Sequence, residues 1–192
     1  MTDKGQTAEN IMFSEIMEVY KRKGSAAAAI DGRSAAGKTT LAAALSKRLG
    51  CTLIHMDDFF LRPGQRTPER LAEPGGNVDR ERFRQEVLEP LSRGEDFEYG
   101  IFDCAAMSVT RTVKVRYTPV TIIEGAYSCH PELWPYYDLH FFISINKEEQ
   151  RERILKRNGP EKAGQFMTRW IPMEEKYFAA FDTETGCRLI YN

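Results

Sequence analysis

The sequence predicts an α/β three-layer sandwich, with a parallel sheet of about five strands, helices on both faces and one inserted β-hairpin. Three observations predict it. Short apolar runs fit for buried strands alternate with segments of helical period, the pattern of a parallel sheet covered on both sides. The stretch 26–49 reads strand, glycine-rich loop, helix. Polar residues suited to chemistry fall at the ends of three strands, where open parallel sheets place their ligands. With 192 residues, 42% hydrophobic and 29% charged, the chain has material for a single domain over 1–192.

Each element follows from its own pattern. Phe13, Ile16, Met17 and Tyr20 share one stripe and predict a lead-in helix at about 8–23. The run AAAAID (26–31) predicts the first strand, and Leu41, Leu45 and Leu49 predict a helix over 38–49 that stops at Gly50. A second strand over 52–56 runs directly into Asp57 and Asp58. Residues 62–77, rich in proline, glycine and charge, predict a long loop. Phe83, Val87 and Leu91 space out a helix over about 79–91. Segments 97–103 and 110–117 predict the arms of a hairpin insertion at about 97–117, with Val113, Val115 and Tyr117 on one face. Strands follow at 119–124 and 139–145, then helices at 147–157 and 161–178, and a last strand at 188–191.

The loop between the first strand and its helix reads GRSAAGKT. Two glycines five apart, then Lys and Thr, form a phosphate-binding loop, or P-loop. The expected nucleotide contacts are Gly32, Arg33, Ser34, Ala35, Ala36, Gly37, Lys38, Thr39 and Thr40. Glycines let successive backbone N–H groups turn inward on phosphate oxygens, Lys38 reaches the β- and γ-phosphates, and the helix start presents its positive end. The Thr39 hydroxyl is placed to ligate Mg²⁺. The pattern makes ATP and Mg²⁺ the expected cofactors of a P-loop NTPase fold.

Phosphoryl transfer needs positioned phosphates, neutralised charge and a group to receive the acceptor proton. Glu124, ending the run TIIE, is the candidate second metal residue, directly or through water. Asp57 is the candidate proton acceptor and a further metal candidate. Asp58, its neighbour, is read as a helix cap or a solvent residue.

Composition narrows the partners. A formal net charge of -1 gives no argument for a nucleic-acid or membrane partner. Four well-separated cysteines without a CxxC read as reduced thiols. The polar start MTDKGQTAEN predicts no signal peptide, and the apolar runs are too short for a membrane span. A cytoplasmic protein, with a homo-oligomer open, is the expectation. The arginines at 62, 66, 70, 80, 82 and 84 either face a phosphate- or carboxylate-bearing substrate or, with acids interleaved among them, form a solvated face. The solvated face is the preferred reading.

HMDDFFLR, GGNVDRERF, IIEGAY and an arginine-studded helix follow the loop in that order. Over about 26–191 the chain thereby resembles the uridine kinase family, within the group that includes phosphoribulokinase and bacterial pantothenate kinase. WIPMEEKY is also reminiscent of that family and is read mainly as helix packing. The resemblance implies an ATP-dependent kinase acting on a small-molecule hydroxyl, foremost the 5′-hydroxyl of uridine, cytidine or a related riboside. Pantothenate or a sugar phosphate is the alternative acceptor. It implies Asp57 as general base near the metal, Asp79 on the ribose hydroxyls, Phe102 and Phe60 along the acceptor pocket, and Glu124 as the strand-end acid. It also implies Arg153 and Arg157 on a lid at about 151–165. The chain departs from that pattern where Asp57-Asp58-Phe59-Phe60 replaces Asp-Ser-Phe-Tyr and where Met107 replaces a base-reading His. Two rivals remain. One is a GTPase switch, with Asn146-Lys147-Glu148-Glu149 as an imperfect guanine reader or simply a capped helix start. The other is an inactive nucleotide-binding module.

Overall fold

The computed structural model describes residues 7–191; the polar start Met1–Gln6 and Asn192 lie outside the described residues. The chain opens with α1 (Ala8–Lys23), β1 (Ala26–Gly32), α2 (Lys38–Leu49) and β2 (Thr52–His55). The short α3 (Pro68–Ala72) precedes α4 (Arg80–Phe83), which runs through a π turn into α5 (Glu89–Arg93). The hairpin β3 (Phe97–Asp103) and β4 (Ser108–Val115) comes next, then β5 (Val120–Glu124) and β6 (Leu139–Ser144). The helices α6 (Lys147–Gln165), α7 (Ile171–Phe181) and α8 (Thr183–Gly186) lead to β7 (Arg188–Tyr191).

Five strands pair in the order β2-β5-β1-β6-β7, all parallel, while β3 and β4 form a separate antiparallel pair. Side-chain alternation sorts the strand residues into two cores. Ala28, Ile30, Ile122, Phe141 and Ile143 pack with Met12, Ile16, Leu41 and Leu45 from α1 and α2. Ala29, Ile54, Ile123 and Phe142 pack on the opposite face with Phe59, Phe83, Val87, Tyr99, Tyr177 and Phe178. The three layers of the sandwich follow from that alternation.

Several elements differ from the sequence reading in instructive ways. The buried stripe of α1 is Met12, Ile16 and Val19, one residue around from the predicted one, with Phe13, Met17 and Tyr20 at its margin. The predicted loop 62–77 contains α3, which Thr67 caps by accepting from the Arg70 N–H at 3.1 Å and Pro68 opens. The second strand ends at His55, and Met56–Phe59 turn as a 3₁₀ helix. The long helix α6 breaks at Gly159 (φ 75°, ψ 169°) ahead of Pro160, which sets the boundary predicted near 157–161. Asn146 accepts from the Glu149 N–H at 2.8 Å and caps α6, so the Asn-Lys-Glu-Glu run serves as a helix start. No helix among the described residues is long and apolar enough to cross a membrane.

Candidate active site

A cleft of about 900 Å³ opens at the carboxyl ends of β1, β2 and β5. Ser34, Ala35, Gly37, Lys38, Thr39 and Thr40 form its phosphate-loop floor. The loop has its shape because the chain cannot do otherwise there. Gly32 has φ 135°, and a Cβ on it would sit 2.2 Å from the Ile143 carbonyl oxygen. Gly37, with φ 93°, turns the chain into α2, whose N-terminus carries no side-chain cap and so presents open N–H groups. The Lys38 Nζ donates to the carbonyls of Gly32 at 2.7 Å and Arg33 at 3.0 Å, folded back along its own loop.

The loop residues divide by role. Gly32, Arg33 and Ala36 do not line the cleft. Expected among the nucleotide contacts, Arg33 instead turns its guanidinium outward to Glu175 (2.8 Å), Glu184 (2.9 Å) and Ser144 (3.0 Å). It lies over the rings of Phe142 and Phe178, tying the loop to α7 and α8.

The acids meet as the strand order requires. The Thr39 hydroxyl donates to Glu124 at 3.2 Å, across the β1–β5 neighbourhood. His55, at the end of β2 beside Glu124 in register, places Nδ1 2.6 Å from its carboxylate. That hydrogen bond raises the His55 pKa against the opposing effect of burial. Asp57 borders the same cleft. Its carboxylate meets the cleft's solvent, yet protein encloses its other sides. That enclosure raises its pKa; Lys38 opposes the rise and Glu124 adds to it. Asp58 turns away, as expected, but it is neither cap nor free solvent residue. It is half-buried, its carboxylate accepts from the Tyr99 hydroxyl at 3.2 Å, and the 3₁₀ turn rather than strand alternation separates it from Asp57.

Phe60 and Phe102 line the cleft, as do Arg153 and Arg157 from α6. Arg153 donates to the Ala35 carbonyl at 3.3 Å, and Gln150 to the Ser34 carbonyl at 3.0 Å, so α6 grips the loop. Asp79 is not brought to the cleft. It is 1% exposed, accepts from the Arg82 N–H at 3.1 Å as the cap of α4, and accepts from Gln65 at 2.8 Å. Buried among these partners, its carboxylate does not open onto the cleft.

Two acids escaped the sequence reading. Glu174, assigned to helix packing, is 4% exposed and lines the cleft; it accepts from both the N–H (3.0 Å) and the hydroxyl of Ser34. Burial raises its pKa, with Lys38 opposing. Trp170 of the same segment also lines the cleft, while Tyr177 is core. Asp31, read only as the polar end of a strand, is fully buried. It accepts from the N–H groups of Gly32 (2.7 Å), Tyr127 (3.2 Å) and Cys129 (2.9 Å) and from the Tyr177 hydroxyl (2.9 Å). One carboxylate thereby holds together the phosphate loop, the turn after β5 and α7. Asp31→Asn offers one acceptor oxygen where two are used and should destabilise the fold by about 2–4 kcal/mol through orphaned buried donors. Urea unfolding checks this; a change within about 0.5 kcal/mol, the size of an ordinary surface substitution, contradicts the clasp.

Comparison with known proteins agrees with this architecture. No protein-family model matches the sequence. A possible uridine kinase from Bacillus stearothermophilus superposes with TM-score 0.72 at 20% identity, over 96% of this chain and 97% of that one. A candidate fructose transport system kinase from Silicibacter gives TM-score 0.69 at 21% identity, over 98% and 100%. The circularly permuted P-loop kinase candidate YFH7 from Saccharomyces cerevisiae gives 0.67 at 11% identity, over 96% and 99%. The loop geometry, the strand order and these near full-length likenesses together identify the chain's fold as the α/β P-loop fold that these kinase structures share.

Proposed function

We propose that the chain is an ATP-dependent phosphotransferase that moves the γ-phosphoryl group to a hydroxyl of a small molecule. The observation that carries this reading is the convergence of Lys38, Thr39, Glu124 and Asp57 in one cleft with room for a second ligand beside the phosphate loop. The acceptor oxygen attacks the γ-phosphorus, the bond to the bridging oxygen of ADP breaks, and the hydroxyl proton passes to Asp57. The loop amides and the uncapped start of α2 hold the phosphates, and Lys38 swings from its own carbonyls onto them. Arg153 and Arg157, on the proposed lid, add positive charge above the loop.

The residues present fit Mg²⁺. Among the described residues no three His, Cys, Asp or Glu side chains form a self-sufficient metal site. Mg²⁺ beside phosphates does not need one; it takes one or two protein ligands and fills its shell with phosphate oxygens and water. Thr39 would ligate it, with Glu124 as partner and Asp57 near. When bound, the ion supplies charge neutralisation of the phosphates. Thr39→Ala should raise the Mg²⁺ midpoint for turnover several-fold while far-ultraviolet circular dichroism is unchanged; an unmoved midpoint with wild-type rate removes Thr39 from that role.

For the acceptor, the aromatic walls Phe60 and Phe102 favour a ring-bearing molecule, which agrees with a riboside such as uridine or cytidine. The burial of Asp79 argues the other way, because the ribose anchor that the resemblance implies is absent from the cleft. A panel of hydroxylated acceptors, scored by acceptor-dependent release of ADP, tests the reading. Acceptor-independent hydrolysis of GTP would point instead to a switch, and nucleotide binding without turnover to an inactive module.

A further inference from the structure

The arginines of the 62–84 segment fall into two kinds. Arg70 pairs with Glu81 at 2.7 Å, Arg80 with Glu132 at 2.9 Å, Arg82 with Glu86 at 3.0 Å and Arg84 with Glu89 at 3.4 Å. Arg62 lies 3.6 Å from Asp79. The interleaved acids neutralise these five, but Arg70, Arg80 and Arg82 are largely buried, so the segment is not the solvated face that the sequence suggests. Arg66 is different. It is half-buried, it lines the cleft, and among the described residues it makes no ion pair. It shares that cavity with Cys104 of the hairpin turn and with Asp57, the residue that receives the acceptor proton on the reading above.

A second, independent observation comes from the same cavity. Asn77 lines the cleft at 2% exposure, and its Oδ1 has no hydrogen-bond partner. Buried carbonyl oxygens are seldom left without a donor, so an O–H or N–H of a ligand is the fitting partner. An unpaired guanidinium and an orphaned acceptor oxygen thus sit in one cavity, on the side where the reacting hydroxyl must lie.

We propose that the phosphoryl acceptor bears an oxyanion, a carboxylate or a phosphate monoester, bound by Arg66, and a hydroxyl or N–H received by Asn77 Oδ1. This rests on the phosphotransferase reading above and narrows its substrate class away from neutral nucleosides. A guanidinium matches either oxyanion with paired N–H donors. The contact is a ground-state one, so its loss acts on acceptor KM more than on kcat.

The full chain with saturating Mg·ATP is assayed for ADP release against three sets of compounds. They are the neutral ribosides uridine and cytidine, the hydroxy acids glycerate and pantothenate, and the sugar monophosphates ribose 5-phosphate and ribulose 5-phosphate. The same compounds are scored by thermal shift with Mg·AMPPNP present. One of the two oxyanion sets is expected to be turned over or to stabilise the protein above the ribosides, and which set does so separates carboxylate from phosphate. Arg66→Gln should raise the KM, or the apparent Kd, for that compound by about 10–100-fold, the effect of one lost charge-assisted contact. The KM for ATP should stay put. Arg93→Gln, the same charge change at a surface residue paired with Glu95 at 2.8 Å, should move neither. A preference for uridine or cytidine overturns the inference and leaves the kinase reading standing. So does an oxyanion acceptor indifferent to Arg66→Gln, or the failure of every oxyanion compound both to turn over and to stabilise. Absence of any Mg·AMPPNP shift together with absence of ADP release overturns the kinase reading itself.

Discussion

Lys38→Ala is expected to lower kcat/KM by roughly 10²–10³-fold or more, the usual effect of deleting one preorganised group that meets developing charge in a transition state. The reason lies in its position. Lys38 directly follows the Gly37 turn as the first residue of α2, 9% exposed, with Nζ parked on the Gly32 and Arg33 carbonyls. Those two bonds are weak competitors for an arriving triphosphate, so the ammonium is free to move. Its field also reaches Asp31, Asp57 and Glu174. Removing it therefore leaves three carboxylates less compensated, and stability should fall by about 1 kcal/mol while the sheet stays intact. Steady-state kinetics beside thermal unfolding separates the two effects. Near-normal turnover in a folded variant would contradict the phosphate-loop assignment, and unfolding at assay temperature would contradict the modest structural role.

Asp57→Asn is expected to lower kcat by roughly 10²–10⁴-fold with little change in the KM for ATP, the range for loss of a general base. Asp58→Asn should stay within several-fold, because that side chain meets Tyr99 rather than the cleft. The pH dependence carries a sign. Asp57 accepts a proton only when ionised, and enclosure by protein holds its pKa above the ordinary carboxylate value. In the wild type kcat should therefore fall as pH drops through that raised value, and in Asp57→Asn this limb should vanish. Severity in the reverse order, or an effect confined to ATP affinity, contradicts the assignment. A changed metal dependence with a moderate loss would make Asp57 chiefly a Mg²⁺ residue.

The parts of the molecule legible in the sequence are those set by local pattern. Residues 26–49 announce strand, loop and helix because the glycines, the Lys and the leucine spacing all act within one turn or two of each other. The five sheet strands were legible for the same reason, since buried parallel strands are short apolar runs between breaks. Contacts between distant segments were not legible. Nothing in AAAAID tells that Asp31 will meet Tyr177, nor in WIPMEEKY that Glu174 will reach Ser34; each pair is made only when α7 docks on the loop. His55 was hidden for the same reason, since only the pairing of β2 with β5 sets it level with Glu124. Arg33 and Asp79 went the other way. The loop motif concerns the Arg33 backbone and the family resemblance the Asp79 carboxylate; packing gives the Arg33 side chain to Glu175 and Glu184 and Asp79 to the cap of α4. Motif position predicts where a backbone sits better than where its side chain points.

Transfer of label from γ-³²P-ATP distinguishes phosphotransfer to an acceptor from hydrolysis. With Mg²⁺ and the acceptor panel, the wild-type chain should move label to a small-molecule product one for one with ADP formed, and Lys38→Ala and Asp57→Asn should not. Label appearing only as inorganic phosphate at a rate no acceptor changes, or labelled product formed equally by all three proteins, would contradict the account.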